Sequence, residues 1–263
     1  MFDFDGVLVD GMDEYWWAAR SAALEITAAD GLAFEAPHDI PDAFRRLRPR
    51  IHKGWEMVLV AAELGCRGGA AAPEPDDPAA SLIAPLAAAS RQSYGLALEA
   101  ALARRGWTPE RLQLSLERVR EAAIRHDRAV WLARHRFYPG VPERLARLAR
   151  EGADWLVLTT KGAAFAAELL AAAGLEPAEL YGHEHGSKPE VLLRLCDRLR
   201  SLWFVEDRRP TLEQVRATPG LEAVRCYLVS WGYLAPEDAH EPAAAGLRWL
   251  EPDRFAAPLA DWP

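Results

Sequence analysis

The chain has 263 residues, and its 39 acidic and 31 basic side chains leave a formal net charge of −8 at pH 7. Half of the residues are hydrophobic, which is ordinary for a folded globular protein and argues against a disordered one. The acidic balance argues against a nucleic-acid partner held by phosphate contacts, and no apolar run approaches the roughly 20 residues of a membrane-spanning helix, so we expect neither a nucleic-acid nor a membrane partner.

The cysteines and the first residues bear on the cellular compartment. Cys66, Cys196 and Cys226 are too few and too widely spaced for a disulfide framework or a zinc knuckle. The opening residues carry acids and no positive charge, which is unlike a secretory signal peptide. We therefore predict a cytoplasmic protein.

The first part of the chain is predicted to form one short strand followed by helices. The strand covers Phe2 to Leu8, and from Asp13 to Phe137 apolar residues recur at three- and four-residue spacings, with no strand expected. Residues 65–80 are rich in Gly and Pro and predict an exposed loop. Helices are predicted from Trp55 to Leu64 with a cap at Gly65, from Ser81 to Gly106, and from Pro109 to about Arg134.

From Tyr138 onward, short apolar runs alternate with amphipathic helices. The runs cover residues 155–159, 180–181, 202–205, 226–230 and 247–250, and helices are predicted over 142–152, 163–174 and 190–200. Continuous apolar strands separated by helices are typical of a parallel sheet covered on both faces. The tail after Pro252 is expected either to wrap around the domain or to fray.

These elements predict an α/β fold with a central parallel sheet. Its core would comprise residues 1–11 and 137–263, interrupted by an α-helical insertion of residues 12–136. Only Met1 and Phe2 precede Asp3, whereas a strand usually has about five residues, so we also expect the natural protein to begin a few residues upstream. In open parallel sheets, ligands bind beyond the carboxyl ends of the strands, and the chemistry is expected there.

Acids and hydroxyls follow the first two core strands. Asp3 and Asp5 suit a nucleophile with a general acid, or the ligands of a hard cation, although a turn that ends the strand explains them more simply. Thr159 and Thr160 precede a helix, where they either bind an anion or simply cap that helix.

Further polar residues follow later strands. Lys188 before a helix suits phosphate neutralisation, although such a lysine is usually just solvated. Glu206 and Asp207 close a buried strand, where adjacent acids are costly unless a cation or hydrogen bonds compensate them, so this pair favours function. His183 and His185 lack the further ligands of a zinc site, and a structural role is favoured.

Taken in order, these segments resemble the motifs of the haloacid dehalogenase superfamily, in the subgroup whose α-helical cap is inserted after the first motif. Residues 3–10, Asp-Phe-Asp-Gly-Val-Leu-Val-Asp, match the first motif, and residues 138–142 resemble the usual return to the core. Thr159, Lys188 and the pair Glu206-Asp207 fall on the second, third and fourth motifs. The resemblance covers residues 1–11 and about 137–232, and it implies a Rossmann-like three-layer core with a helical cap.

The resemblance also implies a mechanism. Asp3 would be the nucleophile that becomes an aspartyl phosphate, and Asp5 would protonate the leaving group and then activate water. Mg²⁺ would be held by Asp3, by the main-chain carbonyl of Asp5 and by Asp207, with Glu206 assisting through water. Thr159 would bind the phosphoryl oxygens.

Three further residues are assigned to the phosphorylated substrate. Lys188 would also bind the phosphoryl oxygens, and Thr160 is a further candidate for substrate binding. Arg48 lies in the densest basic run, residues 45–53, which is most simply a solvated helix face. The alternative is that Arg48, which precedes Pro49, contacts an anionic group of the substrate when the cap closes.

These expectations favour a Mg²⁺-dependent phosphatase that hydrolyses a small phosphate monoester, such as phosphoglycolate or a sugar phosphate. A phosphosugar mutase of the β-phosphoglucomutase kind is the nearest alternative, because it retains the same core residues. A dehalogenase is disfavoured because Asp5 is present. A non-catalytic binding module on the same scaffold is disfavoured by the complete set of motif residues. The sequence does not predict the oligomeric state.

Overall fold

The fold was analysed in a computed structural model that describes residues 1–66, 91–235, 237–240 and 242–263. It divides into two compact units. The core unit comprises Met1–Gly11 and His135–Pro263, and the helical unit comprises Met12–Arg134.

The helical unit is built around three helices that pack against one another. Its helices are α1 (Met12–Ala29), α2 (Asp42–Leu47), α3 (Gly54–Gly65), α4 (Arg91–Arg105) and α5 (Pro109–Leu132). Helix α1 packs against both α3 and α5, and α3 also packs against α5. An ion pair is buried between α1 and α5, where Arg120 donates to Glu14 at 2.7 and 2.8 Å. Most of the predicted loop over 65–80 and the start of the helix predicted from Ser81 lie outside the described residues.

The sheet of the core unit is parallel and has the N-terminal segment in its middle. Its strands are β3 (Leu156–Leu158), β4 (Glu179–Tyr181), β5 (Trp203–Glu206), β6 (Arg225–Val229) and β7 (Arg248–Leu250). Strand β3 pairs with β4, and β5 pairs with β6, which in turn pairs with β7, all in parallel. Phe2 forms parallel bridges to both Val157 in β3 and Val205 in β5, and thereby joins the two groups of strands.

The predicted strand over Phe2 to Leu8 is wrong in extent. The amide groups of Phe2 and Asp3 donate to carbonyls of the flanking strands, but at Phe4 the chain turns back, and Leu8 N donates to Phe4 O at 2.9 Å. Gly6 allows this turn because its φ is +90°. The chain then forms β1 (Val9–Asp10), which pairs antiparallel with β2 (Arg136–Phe137), a pair too short for the sequence pattern to reveal.

Some helices of the core unit begin or end at residues other than the predicted ones. The helix predicted over 190–200 begins earlier, at Lys188, and ends at Cys196. The end of the chain wraps rather than frays, because Phe255 and Trp262 are buried. The core helices are α6 (Val141–Leu148), α7 (Ala163–Ala172), α8 (Lys188–Cys196), α9 (Arg209–Ala217) and α10 (Pro252–Ala256).

The apolar faces of these elements form one core around the sheet. Residues of β3, β5 and β6 pack with residues of α8 and α9 in a single buried cluster, among them Leu158, Leu192, Phe204, Leu212 and Leu228. The predicted α/β class with a Rossmann-like parallel sheet is confirmed. Among the described residues, no helix combines the length and the apolar character that crossing a bilayer requires.

Candidate active site

The polar residues of the core unit gather at the carboxyl edge of the sheet. Asp3 follows Phe2 in the middle of the sheet, Thr159 follows β3, and Glu206 ends β5 with Asp207 directly after it. Because all these segments run parallel, their carboxyl ends meet at one edge. The short pairing at Phe2 is therefore sufficient to place Asp3 between Thr159 and the two acids at the end of β5.

Three carboxylates at this edge are close together and buried. Asp3, Glu206 and Asp207 each offer an oxygen, and these oxygens all lie within 4.8 Å of one another. Their residues are 6%, 0% and 1% exposed, respectively. Oxygen ligands of this kind suit a hard divalent cation such as Mg²⁺. Among the described residues, this is the one group of acids, histidines or cysteines whose geometry could hold a metal ion.

Lys188 closes one side of the carboxylate group. As the first residue of α8, it is held by a capping box, in which Ser187 N donates to Glu190 Oε2 at 2.7 Å. Its ammonium lies 2.8 Å from Asp3 Oδ1 and donates to Glu206 Oε2 at 2.6 Å. Burial alone would lower the pKa of Lys188, but the charges of Asp3 and Glu206 outweigh burial and raise that pKa. The lysine therefore stays charged.

One positive charge does not fully compensate the buried acids. Burial, followed by the charge of Glu206, raises the pKa of Asp3 to about 7. Burial also raises the pKa of Glu206. A divalent cation would favour the charged forms of these groups, so the donor set and its electrostatics fit a bound metal.

Glu206 is fixed by contacts within the core unit. Its Oε1 accepts from the main-chain amides of Asp207 and Arg208 at 3.0 and 3.1 Å, while its Oε2 accepts from Lys188. These contacts orient the turn that carries Asp207 as well as the lysine. Glu206 therefore belongs to the carboxylate group and also fixes the positions of Asp207 and Lys188.

Asp207 is fixed from the opposite side by the segment after β6. Tyr233 N donates to Asp207 Oδ2 at 2.7 Å, and the Tyr233 hydroxyl donates to Asp10 at 2.6 Å. Two glycines make room for this close approach. A Cβ atom at Gly6 would lie 2.0 Å from Asp207 Oδ2, and one at Gly232 would lie 2.3 Å from Asp207 Cβ. Neither position can carry a side chain without displacing Asp207.

Asp5 lies outside the carboxylate group and has a different partner. Its Oδ1 lies 3.4 Å from the ammonium of Lys161, which is buried in the turn after β3. The main-chain amide of Lys161 donates to Thr159 Oγ1 at 3.0 Å, and Thr159 is itself buried. The second motif thus contacts the carboxylate of Asp5 in the first motif through a lysine, Lys161.

The remaining predicted residues lie elsewhere. Thr160 is half-buried next to Thr159. Arg48 belongs to the helical unit, where its guanidinium lies 4.8 Å from the ring centre of Tyr15 and donates to Ile51 O at 3.2 Å. His183 and His185 lie in a 3₁₀ turn before Lys188, where Gly182 N donates to His185 Nδ1 at 3.0 Å.

The sequence interpretation assigned no role to Lys161 or Tyr233. A lysine after a strand is usually solvated, so the pattern gave no reason to expect the buried contact with Asp5. Tyr233 reaches Asp207 through a main-chain amide, which carries no residue signature. The run Trp231-Gly232-Tyr233 directly after a buried strand was the one available signal, because a glycine there indicates a close approach of the backbone.

The comparison with protein families agrees with this geometry. The family model described as haloacid dehalogenase-like hydrolase matches residues 1–210. The chain belongs to this family of hydrolases. No curated protein matches it significantly.

Solved structures share the fold at low sequence identity. A predicted phosphoglycolate phosphatase from Haemophilus somnus aligns with a TM-score of 0.58 at 16% identity, covering 97% of this chain and 93% of its own. A predicted phosphatase from Clostridium acetobutylicum aligns with a TM-score of 0.57 at 13% identity, covering 95% and 91%. A provisionally assigned beta-phosphoglucomutase from Thermotoga maritima aligns with a TM-score of 0.51 at 18% identity, covering 97% and 94%.

Proposed function

We propose that the protein is a Mg²⁺-dependent phosphatase that hydrolyses a small phosphate monoester through an aspartyl phosphate on Asp3. The observation that carries the proposal is the buried group formed by Asp3, Glu206 and Asp207 with Lys188 against it. Three acids and one lysine at a sheet edge leave an excess of negative charge that a divalent cation would compensate. The membership in the hydrolase family supports this reading.

The metal would be held by the acids of the first and fourth motifs. Asp3 and Asp207 would ligate it directly, together with the main-chain carbonyl of Asp5, and Glu206 would assist through water. When bound, Mg²⁺ would offset the repulsion between the attacking carboxylate and the phosphoryl group.

The residues of the chain would carry the two chemical steps. The Asp3 carboxylate attacks phosphorus, and the bond between phosphorus and the leaving oxygen breaks while Asp5 gives its proton to that oxygen. Water then attacks the aspartyl phosphate, and the Asp5 carboxylate takes the proton from this water. Inorganic phosphate leaves, and Asp3 is again a free carboxylate.

The phosphoryl oxygens would be bound by Lys188 and by the Thr159 hydroxyl. Lys188 carries a positive charge 2.8 Å from the carboxylate of Asp3, so it could stabilise the charge that moves to these oxygens in the transition state. Thr160 is proposed to bind the rest of the substrate, which is a small phosphorylated metabolite.

We also propose a cytoplasmic location. Cys66, Cys196 and Cys226 are all free thiols, which fits a reducing compartment. Fractionation of the natural cells would test this location.

A screen of phosphate esters tests the function. The purified protein is incubated with phosphoglycolate, sugar phosphates and other small esters, with Mg²⁺ or with EDTA, and inorganic phosphate is measured. Release of phosphate that needs Mg²⁺ and is lost in Asp3→Asn supports the proposal. Retention of the phosphoryl group on an isomerised sugar would indicate a mutase instead, and no turnover of any ester would favour a binding module.

A further inference from the structure

Lys161 is a buried lysine to which the proposed chemistry gives no role. It lies in the turn between β3 and α7, and its side chain is 2% exposed. Its ammonium lies 3.4 Å from Asp5 Oδ1, and the Asp5 side chain is 13% exposed. Asp5 is therefore the member of the pair that reaches solvent, while Lys161 lies behind it.

The backbone of Lys161 is held on both sides. Its amide donates to Thr159 Oγ1 at 3.0 Å, and its carbonyl accepts from His183 N at 3.3 Å. These contacts fix the turn after β3 and therefore limit where the ammonium can lie. Asp5 in turn lies in the tight turn after Phe4, where Gly6 N donates to Val9 O at 2.9 Å.

A buried ion pair of this kind contributes little to the stability of a fold, because the attraction of its partner only partly offsets the cost of removing an ammonium from water. Given the asymmetry in exposure, we propose that Lys161 is a positioning residue for Asp5. It holds the Asp5 carboxyl group in one orientation toward the leaving oxygen and does not itself contact substrate. This inference rests on the proposed phosphatase function.

The pair accounts for both halves of the reaction. When Asp5 gives its proton to the leaving oxygen, the ammonium of Lys161 keeps the Asp5 carboxyl group in its place. When Asp5 later takes a proton from water, it starts from that same carboxylate in the same place. Lys161 neither gains nor loses a proton in either step.

Leaving groups of different basicity distinguish this role from others. An alkyl phosphate needs a proton donor because its alkoxide is strongly basic, whereas p-nitrophenyl phosphate loses its leaving group without one. In Lys161→Met we expect kcat/KM to fall roughly 100-fold for an alkyl phosphate that the protein hydrolyses, and by less than about threefold for p-nitrophenyl phosphate. Lys161→Arg, which keeps the charge, should retain most of the alkyl phosphate activity.

A double-mutant cycle tests whether Lys161 acts through Asp5. Asp5→Asn should show the same preference for p-nitrophenyl phosphate, and adding Lys161→Met to it should cause less than a threefold further loss with the alkyl ester. Equal losses with both esters, or losses that multiply in the double variant, would overturn the inference and indicate direct phosphate binding or a purely structural role.

The controls separate this inference from the proposed function. If Asp3→Asn still hydrolyses both esters, the phosphatase mechanism itself is wrong, whatever Lys161 does. If Asp3→Asn is inactive but Lys161→Met slows both esters alike, only the inference fails. Thermal melting of each variant shows whether it is folded, and Lys161→Gln replaces Lys161→Met in the same comparison if the latter melts far below the parent protein.

Discussion

Lys188 Nζ lies 2.6 Å from Glu206 Oε2, and both residues are almost completely excluded from solvent. The pair joins the first residue of α8 to the last residue of β5. Since the same ammonium also contacts Asp3, the loss of Lys188 would leave three buried acids without their positive neighbour.

The first prediction concerns the removal of this charge. In EDTA, Lys188→Met should lower the free energy of unfolding by about 3–5 kcal/mol, because it leaves buried carboxylates uncompensated. Denaturant unfolding measures the change. The double variant Lys188→Met/Glu206→Gln should be more stable than Lys188→Met, because the amide still accepts from Asp207 N and Arg208 N but carries no charge. A double variant that is less stable than the single one would contradict this account.

Asp3→Asn should abolish turnover and leave the fold intact. The folded-state pKa of Asp3 is raised to about 7, above its ordinary value, so the contribution of Asp3 to the stability of the metal-free protein is most favourable below about pH 4 and is lost as the pH rises through 7. The side-chain amide in Asp3→Asn cannot ionise, so the variant does not lose this stability as the pH rises. At pH 8 in EDTA, Asp3→Asn should therefore be more stable than the parent protein by up to about 4 kcal/mol.

Unfolding curves between pH 5 and pH 8 test the Asp3 prediction, with activity assays beside them. Asp154, an exposed acid before β3, offers a matched control, and Asp154→Asn should follow the parent protein at every pH. Activity of Asp3→Asn within tenfold of the parent would exclude Asp3 as the nucleophile. A variant that is less stable than the parent at pH 8 would exclude the electrostatic explanation.

Asp207→Asn should weaken the proposed metal site at nearly constant volume. One anionic ligand is lost, so we expect the Mg²⁺ concentration for half-maximal rate to rise by about tenfold or more, and Glu206→Gln to raise it less. The increase in melting temperature on addition of Mg²⁺ should decrease in the same order. An unchanged Mg²⁺ titration in Asp207→Asn would remove the fourth motif from the metal site.

Gly232→Ala should disrupt the carboxylate group without changing any charge. The new methyl group would lie 2.3 Å from Asp207 Cβ and 2.5 Å from Gly6 O, so the backbone must move. We expect a loss of about 2–4 kcal/mol of unfolding free energy and weaker Mg²⁺ binding. Gly95→Ala in α4 is the control, since nothing lies within 4 Å of its new methyl group, and it should be neutral or slightly stabilising. Equal stability of the two variants would show that the approach at Gly232 is not tight.

The sequence was informative wherever a chemical group stood at the end of a recognisable strand. Glu206 and Asp207 follow a continuous apolar run, and the cost of burying adjacent acids already indicated a compensating partner. That Lys188 is this partner depends on where α8 begins, two residues earlier than its hydrophobic pattern suggested. The hydrophobic pattern alone does not mark that boundary, because Lys188, the first residue of the helix, is charged and nevertheless buried.

Contacts made by backbone groups or by buried polar side chains could not be predicted from the sequence. The spacing of apolar residues cannot show that Phe2 alone pairs with a strand on each of its two sides, because strand pairing depends on segments that are distant in the sequence. Lys161 looks like any solvated lysine until the turn after β3 buries it against Asp5. Tyr233 contacts Asp207 through an amide that every residue except proline possesses. The sequence therefore predicts the chemical groups of the site better than the contacts that orient them.

The pairing of Phe2 with both Val157 and Val205 also sets an order of assembly. At a synthesis rate of about 5–20 residues per second, the second partner leaves the ribosome roughly 10–40 seconds after the first residues. During this time the helical unit can fold through contacts among its own helices, whereas the N-terminal segment lacks its second partner. Asp3 can lie beside Glu206 and Asp207 only after these two residues have been synthesised, so the three carboxylates come together late in the synthesis of the chain.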